Sequence, residues 1–379
     1  MANEQLKQDI IEYSKTIGID KIGFAAANPF AEMKARLKNQ QESGFQSGFE
    51  KGTIEERTEP TLHLTEAESI IAVAIAYPAK MKERVKNVRG NRRGSFCRAS
   101  WGTDYHHVVR EKLELLETYI ASRVPGFRSK IMVDTGELVD KAVAERAGIG
   151  WSGKNTLIIT PEFGSYVYIG EMITNLPFPA DEPVEDGCGD CTLCIDLCPT
   201  GALVAPGRLN AQMCLAYQTQ TKGFMPDEFR QKMGNQLYGY DNCQVVCPKN
   251  RGIDHHLHPE LEPDPDLVKP ELLPLLTISN REFKEKFGHM AGSWRGKKPI
   301  QRNAIIALAN YKEESAVDEL IKLMNNDPRP VIRGTAAWAI GKIGRQDGYQ
   351  AIRDAMETET DLEVIEEMEK GLAFEQVAT

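Results

Sequence analysis

Cys188-Gly189-Asp190-Cys191-Thr192-Leu193-Cys194-Ile195-Asp196-Leu197-Cys198-Pro199 packs four thiols into one short run. A second run, Cys243-Gln244-Val245-Val246-Cys247-Pro248, follows it, with Cys214 between the two. Thiolates at this spacing, closed by proline, are the bacterial arrangement for holding [4Fe–4S] clusters, and the fourth Cys of such a run ligates the other cluster. That rule assigns Cys188, Cys191, Cys194 and Cys247 to one cluster. Cys198, Cys214 and Cys243 go to a second, which lacks an evident fourth ligand. A disulfide framework suits small secreted domains, and zinc sites usually take two separated pairs of ligands. Neither matches this run. The chain reads as one that moves electrons.

Working outward, 379 residues suffice for two or three domains around a large core. No window approaches a membrane span, and the polar N-terminus is unlike a signal peptide. With seven of the eight Cys in the cluster region, a reducing cytoplasm is expected. The net charge of −9 is uneven: residues 354–379 carry nine acids against one base, so the rest of the chain is almost neutral. Two stretches are locally basic. Residues 84–98 hold six bases and no acid, and residues 281–302 hold Arg281, Lys284, Lys286, Arg295, Lys297, Lys298 and Arg302 against two acids. Such runs are either solvated faces or the footprint of a phosphate-bearing partner.

Upstream of the clusters, helical and strand patterns interleave. Leu6, Ile10, Tyr13 and Ile17 mark an amphipathic helix, and residues 69–77 form an apolar run suited to a central strand. Further strands are expected at 21–25, 130–134, 157–159 and 166–173, and helices at 31–41, 108–122 and 137–147. This alternation indicates an α/β domain. Downstream, the Pro-rich stretch beyond residue 258 reads as linker or packed coil. Residues 300–309 then superpose on 331–340, and the helices expected at 315–325 and 346–357 also align, as in short HEAT-type repeats. The expected organisation is multidomain α/β plus α: 1–183, the iron–sulfur stretch 184–258, the coil 259–298 and the repeats 299–379.

The α/β domain must hold whatever accepts the electrons. No G-x-G-x-x-G follows a strand, so a Rossmann site is not supported. Asp104-Tyr105-His106 has the start of an Asp-x-His cobalamin-ligand motif, but Val109 stands where that motif needs Gly. His106 and His107 are therefore expected to be structural or surface residues. Asp134 ends a strand, where open α/β sheets bind ligands. It is either a carboxyl with raised pKa able to donate a proton or the N-cap of helix 137–147. Cys97 is either a buried small side chain or a thiol activated by Arg93 and Arg98.

Asp134-Thr135-Gly136, Ala147-Gly148-Ile149-Gly150-Trp151-Ser152-Gly153-Lys154-Asn155, Gly164-Ser165-Tyr166-Val167-Tyr168-Ile169-Gly170-Glu171 and Gly102-Thr103-Asp104-Tyr105-His106 precede the Cys runs. Together they resemble the epoxyqueuosine reductase family over essentially the whole chain. The resemblance implies a nitroreductase-like cobalamin-binding domain similar to the reductive dehalogenase core, a ferredoxin-like two-cluster module and HEAT-like repeats. It implies reduction of epoxyqueuosine in tRNA to queuosine by base-off cobalamin, with Asp134 as proton donor. Electrons would come from a donor such as flavodoxin or ferredoxin. Arg57 and Cys97 would lie near the corrin or substrate, and Ser152, Gly153, Lys154, Asn155 and Ile158 close to the corrin. Relatives carry Cys three residues before Cys243, where this chain has Tyr240, so Tyr240 or Asp241 becomes an oxygen ligand or one iron stays open. Arg281, Arg295, Lys297, Lys298 and Arg302 are expected on tRNA phosphates, in a monomer. A reductive dehalogenase acting on small substrates and a ferredoxin-type electron carrier are the competing readings.

Overall fold

The structure is a computed structural model that describes residues 2–134 and 136–378. Met1, Thr379 and Thr135, the middle residue of the Asp134-Thr135-Gly136 motif, lie outside the described residues. The chain divides into two compact units, each assembled from three stretches. The first comprises Met1–Lys80, Thr103–Cys214 and Asn242–Glu262; the second comprises Met81–Gly102, Leu215–Asp241 and Pro263–Thr379. The four stretches expected from the sequence follow the order of motifs. Compactness follows where the chain returns, so the iron–sulfur segment is divided between both units.

The first unit is built on four strands, β1 (Lys21–Ala26), β2 (Ser69–Ala76), β3 (Ser129–Met132) and β4 (Val167–Thr174), in the spatial order β1-β2-β4-β3. Helix α1 (Ala2–Thr16) opens the chain, and α2 (Tyr105–Ala121) and α3 (Asp140–Arg146) follow in order. β2 is buried along its whole length because both of its faces are covered. On one face Ile70, Ala72 and Ala74 pack with Ala142, Val143 and Ala144 of α3. On the other, Gly170 of β4, the partner of Val73, lies under Val109 and Leu113 of α2. Each fully buried Ile or Val contributes roughly 1.5–3 kcal/mol.

Every pairing in this sheet is antiparallel. The mixed helix-and-strand composition is as expected, but the parallel-sheet crevice invoked for Asp134 is absent. Alternating helices and strands do not set strand direction when the connections pass back across the sheet. The helix expected over 137–147 begins only at Asp140, with Val139 at its N-cap position, so Asp134 is not its cap.

In the second unit the Pro-rich stretch is packed rather than a linker. Its short helices bury Val268, Leu272, Leu275, Leu276, Phe283 and Phe287 in the unit's core. The repeat appears as α4 (Lys297–Asn310), α5 (Val317–Asn326), α6 (Pro330–Ile343) and α7 (Gln346–Met356), followed by α8 (Leu362–Ala378). Helix α6 is the hub, in contact with α4, α5, α7 and α8. Among the described residues no helix is long and apolar enough to cross a membrane.

Candidate active site

Asp134 follows the end of β3 in a left-handed backbone conformation (φ 49°). Its amide N–H donates to Oδ2 of Asp140, the first residue of α3, at 2.8 Å. Its own Oδ2 accepts from the Tyr105 hydroxyl at 2.8 Å and lies 3.3 Å from His106 Nε2. His106 Nδ1 lies 2.7 Å from Asp104 Oδ1, and Asp104 also caps α2 by accepting the His106 N–H. An N-cap acid with His at the second helical position thus fixes the imidazole beside the carboxylate.

The electrostatics run opposite to the raised carboxyl considered from sequence. The hydrogen bond from His106 holds Asp134 below the usual carboxylate range, outweighing burial, with Tyr105 and the charges of His106 and Lys141 adding to it. Burial would lower His106, but hydrogen bonds and charge from Asp104 and Asp134 outweigh it and lift the imidazole to about 9. Behind Asp134, burial and the Asp134 charge push Asp140 up to about 6. Glu171, wholly buried in β4, is pushed well above its ordinary value by burial and then by Asp140.

The side chains of Asp134 and Lys141 are open to solvent, yet protein surrounds both closely enough for burial to perturb them. Arg57 is half-buried, with its pKa lowered by burial against the opposing charges of Glu50 and Asp140. Lys141 Nζ donates to the Thr156 carbonyl at 2.8 Å, tying α3 to the 152–156 turn.

That turn is stitched to both Cys runs. Lys154 Nζ donates to the Gly189 carbonyl at 2.6 Å, and Asn155 Nδ2 reaches the Cys243 carbonyl at 3.4 Å. Ser152 is held by Glu145 at 2.9 Å. Gly153 and Asn155 are buried, and Ile158, 3% exposed in the apolar cluster behind the turn, offers no open side-chain surface. Cys188, Cys191, Cys194 and Cys247, the four thiols assigned to one cluster, line a single pocket with Lys154 and Asn155. Burial, then the charges of Cys247 and Cys188, push Cys194 up, and Cys247 is raised by burial and by Cys188 and Cys191. Four Cys lining one pocket make a donor set of the kind a [4Fe–4S] cluster takes. Trp151 Nε1 donates to Cys188 Sγ at 3.4 Å.

Several expected site residues belong to the second unit. Cys97 belongs to the second unit, and its buried thiol lies against Gly239, where an added Cβ would sit 2.3 Å from Sγ. Burial and the Asp241 charge push that thiol far up, against a smaller effect of Arg98. It is no activated nucleophile: Arg98 pairs with Asp241, and Arg93 pairs with Asp266 and Glu271. Tyr240 packs on the second unit's apolar core, and Asp241 Oδ2 accepts both the Arg98 amide and its guanidinium. Arg302, 1% exposed, donates to Gln218, Thr221, Gly223 and Asn303, so it is a strut and not a phosphate contact. Lys297 Nζ caps the Ile278 carbonyl, Arg295 donates to Gln220, and Arg281 lies 3.5 Å from Glu285. In the first basic run Arg89, Arg92, Arg93 and Arg98 are all in ion pairs. Tyr105, His106, Asp140 and Lys141 were missed as partners of Asp134, because their meeting depends on folding. The one available signal was Glu171, an acid inside an apolar strand.

Three family models match the chain. Residues 57–135 match the model described as Epoxyqueuosine reductase QueG, residues 187–250 a 4Fe-4S double cluster binding domain, and residues 295–373 HEAT repeats. The epoxyqueuosine reductase of Bacillus anthracis is 65% identical over 369 residues, covering 97% of each chain. That of Bacillus subtilis is 62% identical over 368 residues, covering 97% of this chain and 95% of the relative. A crystal structure of epoxyqueuosine reductase with an epoxyqueuosine-modified tRNA-Tyr stem loop superposes with a TM-score of 0.97 at 62% identity, covering 98% of this chain and 99% of that one. A Bacillus subtilis structure, described as having its Asp134 catalytic loop swung out of the active site, superposes with a TM-score of 0.96 at 61% identity, with the same coverage.

Proposed function

The chain belongs to the epoxyqueuosine reductase family, and from that premise we infer that it reduces the epoxide of epoxyqueuosine, at the wobble position of tRNA, to the alkene of queuosine. The observation that carries the reading to this chain's own residues is the position of Asp134, solvent-exposed and hydrogen-bonded to Tyr105 and His106. A carboxyl so placed can hand a proton to the departing epoxide oxygen, and an alkoxide leaves poorly without one.

The fold around the site is read as the nitroreductase-like cobalamin domain of this family. Arg57, Asp134 and the accessible part of the 152–155 turn would hold base-off cobalamin, which supplies the low-valent metal centre that reduces the epoxide. The residues fit that group in their chemistry: Asp134 and Lys141 are exposed, Arg57 is half-buried, and together they offer polar groups of both charges. His106 has both ring nitrogens engaged, so it has no lone pair to offer a metal. Two [4Fe–4S] clusters, the first on Cys188, Cys191, Cys194 and Cys247, would feed electrons from flavodoxin or ferredoxin through the stitched 152–155 turn. The second would use Cys198, Cys214 and Cys243, with an oxygen ligand from Tyr240 or Asp241 or an open iron.

The deciding experiment incubates the reconstituted enzyme, a low-potential reductant and an epoxyqueuosine stem loop without oxygen. Mass spectrometry should show the modified base losing one oxygen. Asp134→Asn should bind cobalamin and leave the epoxide intact; alkene formed at the normal rate would remove Asp134 from the acid role. For tRNA, the basic stretch is reduced to Arg281, Arg295, Lys297 and Lys298. Lys297→Glu with Lys298→Glu should weaken stem-loop binding and flatten its salt dependence, by roughly 0.7–0.9 in log–log slope for each phosphate no longer neutralised. Unchanged affinity would place the RNA elsewhere.

A further inference from the structure

Converting an epoxide to an alkene and water breaks two carbon–oxygen bonds and takes up two electrons and two protons. On the reading above, on which this inference rests, the electrons come from an external one-electron donor through the clusters. The two protons must reach one oxygen in succession, and a carboxyl holds only one. Asp134 also rests ionised, so it must be loaded before it can donate.

The loading group has to touch Asp134, hold a proton at neutral pH and keep its orientation. His106 meets all three conditions. Its Nε2 faces Asp134 Oδ2 and its Nδ1 faces Asp104 Oδ1. The imidazole stacks on Tyr105 at 4.2 Å, and Tyr105 stacks on Tyr168 of β4 at 4.5 Å with the rings 6° from parallel. Asp104 is itself fixed as the α2 cap, and the ring cannot swing without losing both its stack on Tyr105 and its Nδ1 contact with Asp104. We propose that His106 is the proton carrier that loads Asp134, with Asp104 as a positioning residue that holds Nδ1–H and presents Nε2–H to the carboxylate. The His106 proton passes to Asp134 Oδ2 and from there to the epoxide oxygen as the ring opens. Solvent, which reaches the 62% exposed Asp134 side chain, reprotonates the pair, and a second passage completes the water that leaves.

The arrangement has the logic of other carboxylate-oriented histidines, in which the partner of one ring nitrogen sets the role of the other. The charged groups facing it are Asp104 and Asp134, with His107 acting on Asp104 and with Lys141, Asp140 and Glu171 around Asp134. Asp140 titrates near 6, clear of the His106 titration near 9.

The test is single-turnover alkene formation by cobalamin-loaded, pre-reduced enzyme across pH. Wild-type activity should be lost as pH rises through about 9, where the imidazolium gives up its proton. His106→Gln keeps hydrogen-bonding capacity but cannot carry the proton. It should be about 100-fold slower, at the lower end of general-acid contributions, and should lack that alkaline limb. Asp104→Asn preserves a good cap and should move the limb to lower pH. A His106→Gln enzyme as fast as wild type, or slower with the limb still near 9, overturns the proposal. Should that variant fail to fold, an unmoved limb in Asp104→Asn overturns it instead. If wild-type enzyme makes no alkene at any pH, the activity reading fails first, a result distinct from either.

Discussion

Single residues took their roles from their nearest neighbours. Asp134 and Cys97 show this in opposite directions. Asp134 was open to two readings, cap or acid, and the late start of α3 removed the first. Its partners then reversed the expected sign: a carboxylate beside a protonated imidazole is stabilised in its charged form. The same contacts favour the protonated form of His106, a residue expected to be structural or at the surface. Cys97 shows the converse. Arginines adjacent in sequence pair with acids brought from elsewhere, which leaves the thiol in an apolar, negatively biased pocket. Cys97→Ser should therefore keep turnover within about twofold, because a buried thiol of raised pKa is inert. A loss of alkene formation by this variant, measured with cobalamin loaded, would show that the thiol takes part after all.

At the scale of elements, helix crossings decided what periodicity left open. The offset between the two helical repeats located α4 to α7, but the partner of α6 that comes closest is the last helix, α8. A Cβ on Gly341 would lie 2.0 Å from the Gly371 carbonyl oxygen, so the two backbones touch there. Gly341→Ala should force the helices apart and cost on the order of 1–3 kcal/mol, the range for overpacking. Denaturant unfolding would measure it, and a variant as stable as wild type would mean the crossing relaxes freely. The Pro-rich stretch carries the same lesson. Composition gave it a choice between linker and coil, and Leu272, Leu275, Phe283 and Phe287 settled it by burying themselves in the second unit's core. The 152–155 turn was expected near the corrin on resemblance alone, and its hydrogen bonds to Gly189 and Cys243 tie it to both Cys runs.

For the whole molecule, charge was the property that sequence counting represented least well. The acidic end, residues 354–379, is not a solvated tail. Glu359 pairs with Arg333, and Glu367 forms a bidentate, buried pair with Arg230 at 2.5 and 2.7 Å, both side chains under 5% exposed. Removing one partner strands the other charge, which typically costs 3–5 kcal/mol. Glu367→Gln should therefore lower the midpoint of unfolding by several degrees, while Glu363→Gln, an exposed acid on the same helix, should leave it nearly unchanged. Equal melting temperatures for both variants would remove the pair from the account of stability.

What the sequence determined by itself was whatever is written in local spacing. The Cys runs pointed to an electron-carrying protein and picked out four Cys that line one pocket, the apolar run 69–77 named the central strand, and the 31-residue offset named the repeat. These survive because a thiolate set, a doubly buried strand and a helical face each impose their period on neighbouring residues. Tertiary structure alone decided strand direction, the division of the iron–sulfur segment between two units, the burial of Arg302 and the meeting of Asp104, His106, Asp134, Asp140 and Glu171. Those depend on which distant segments come within a few ångströms, and there desolvation and charge are strong enough to change a residue's protonation and with it its function.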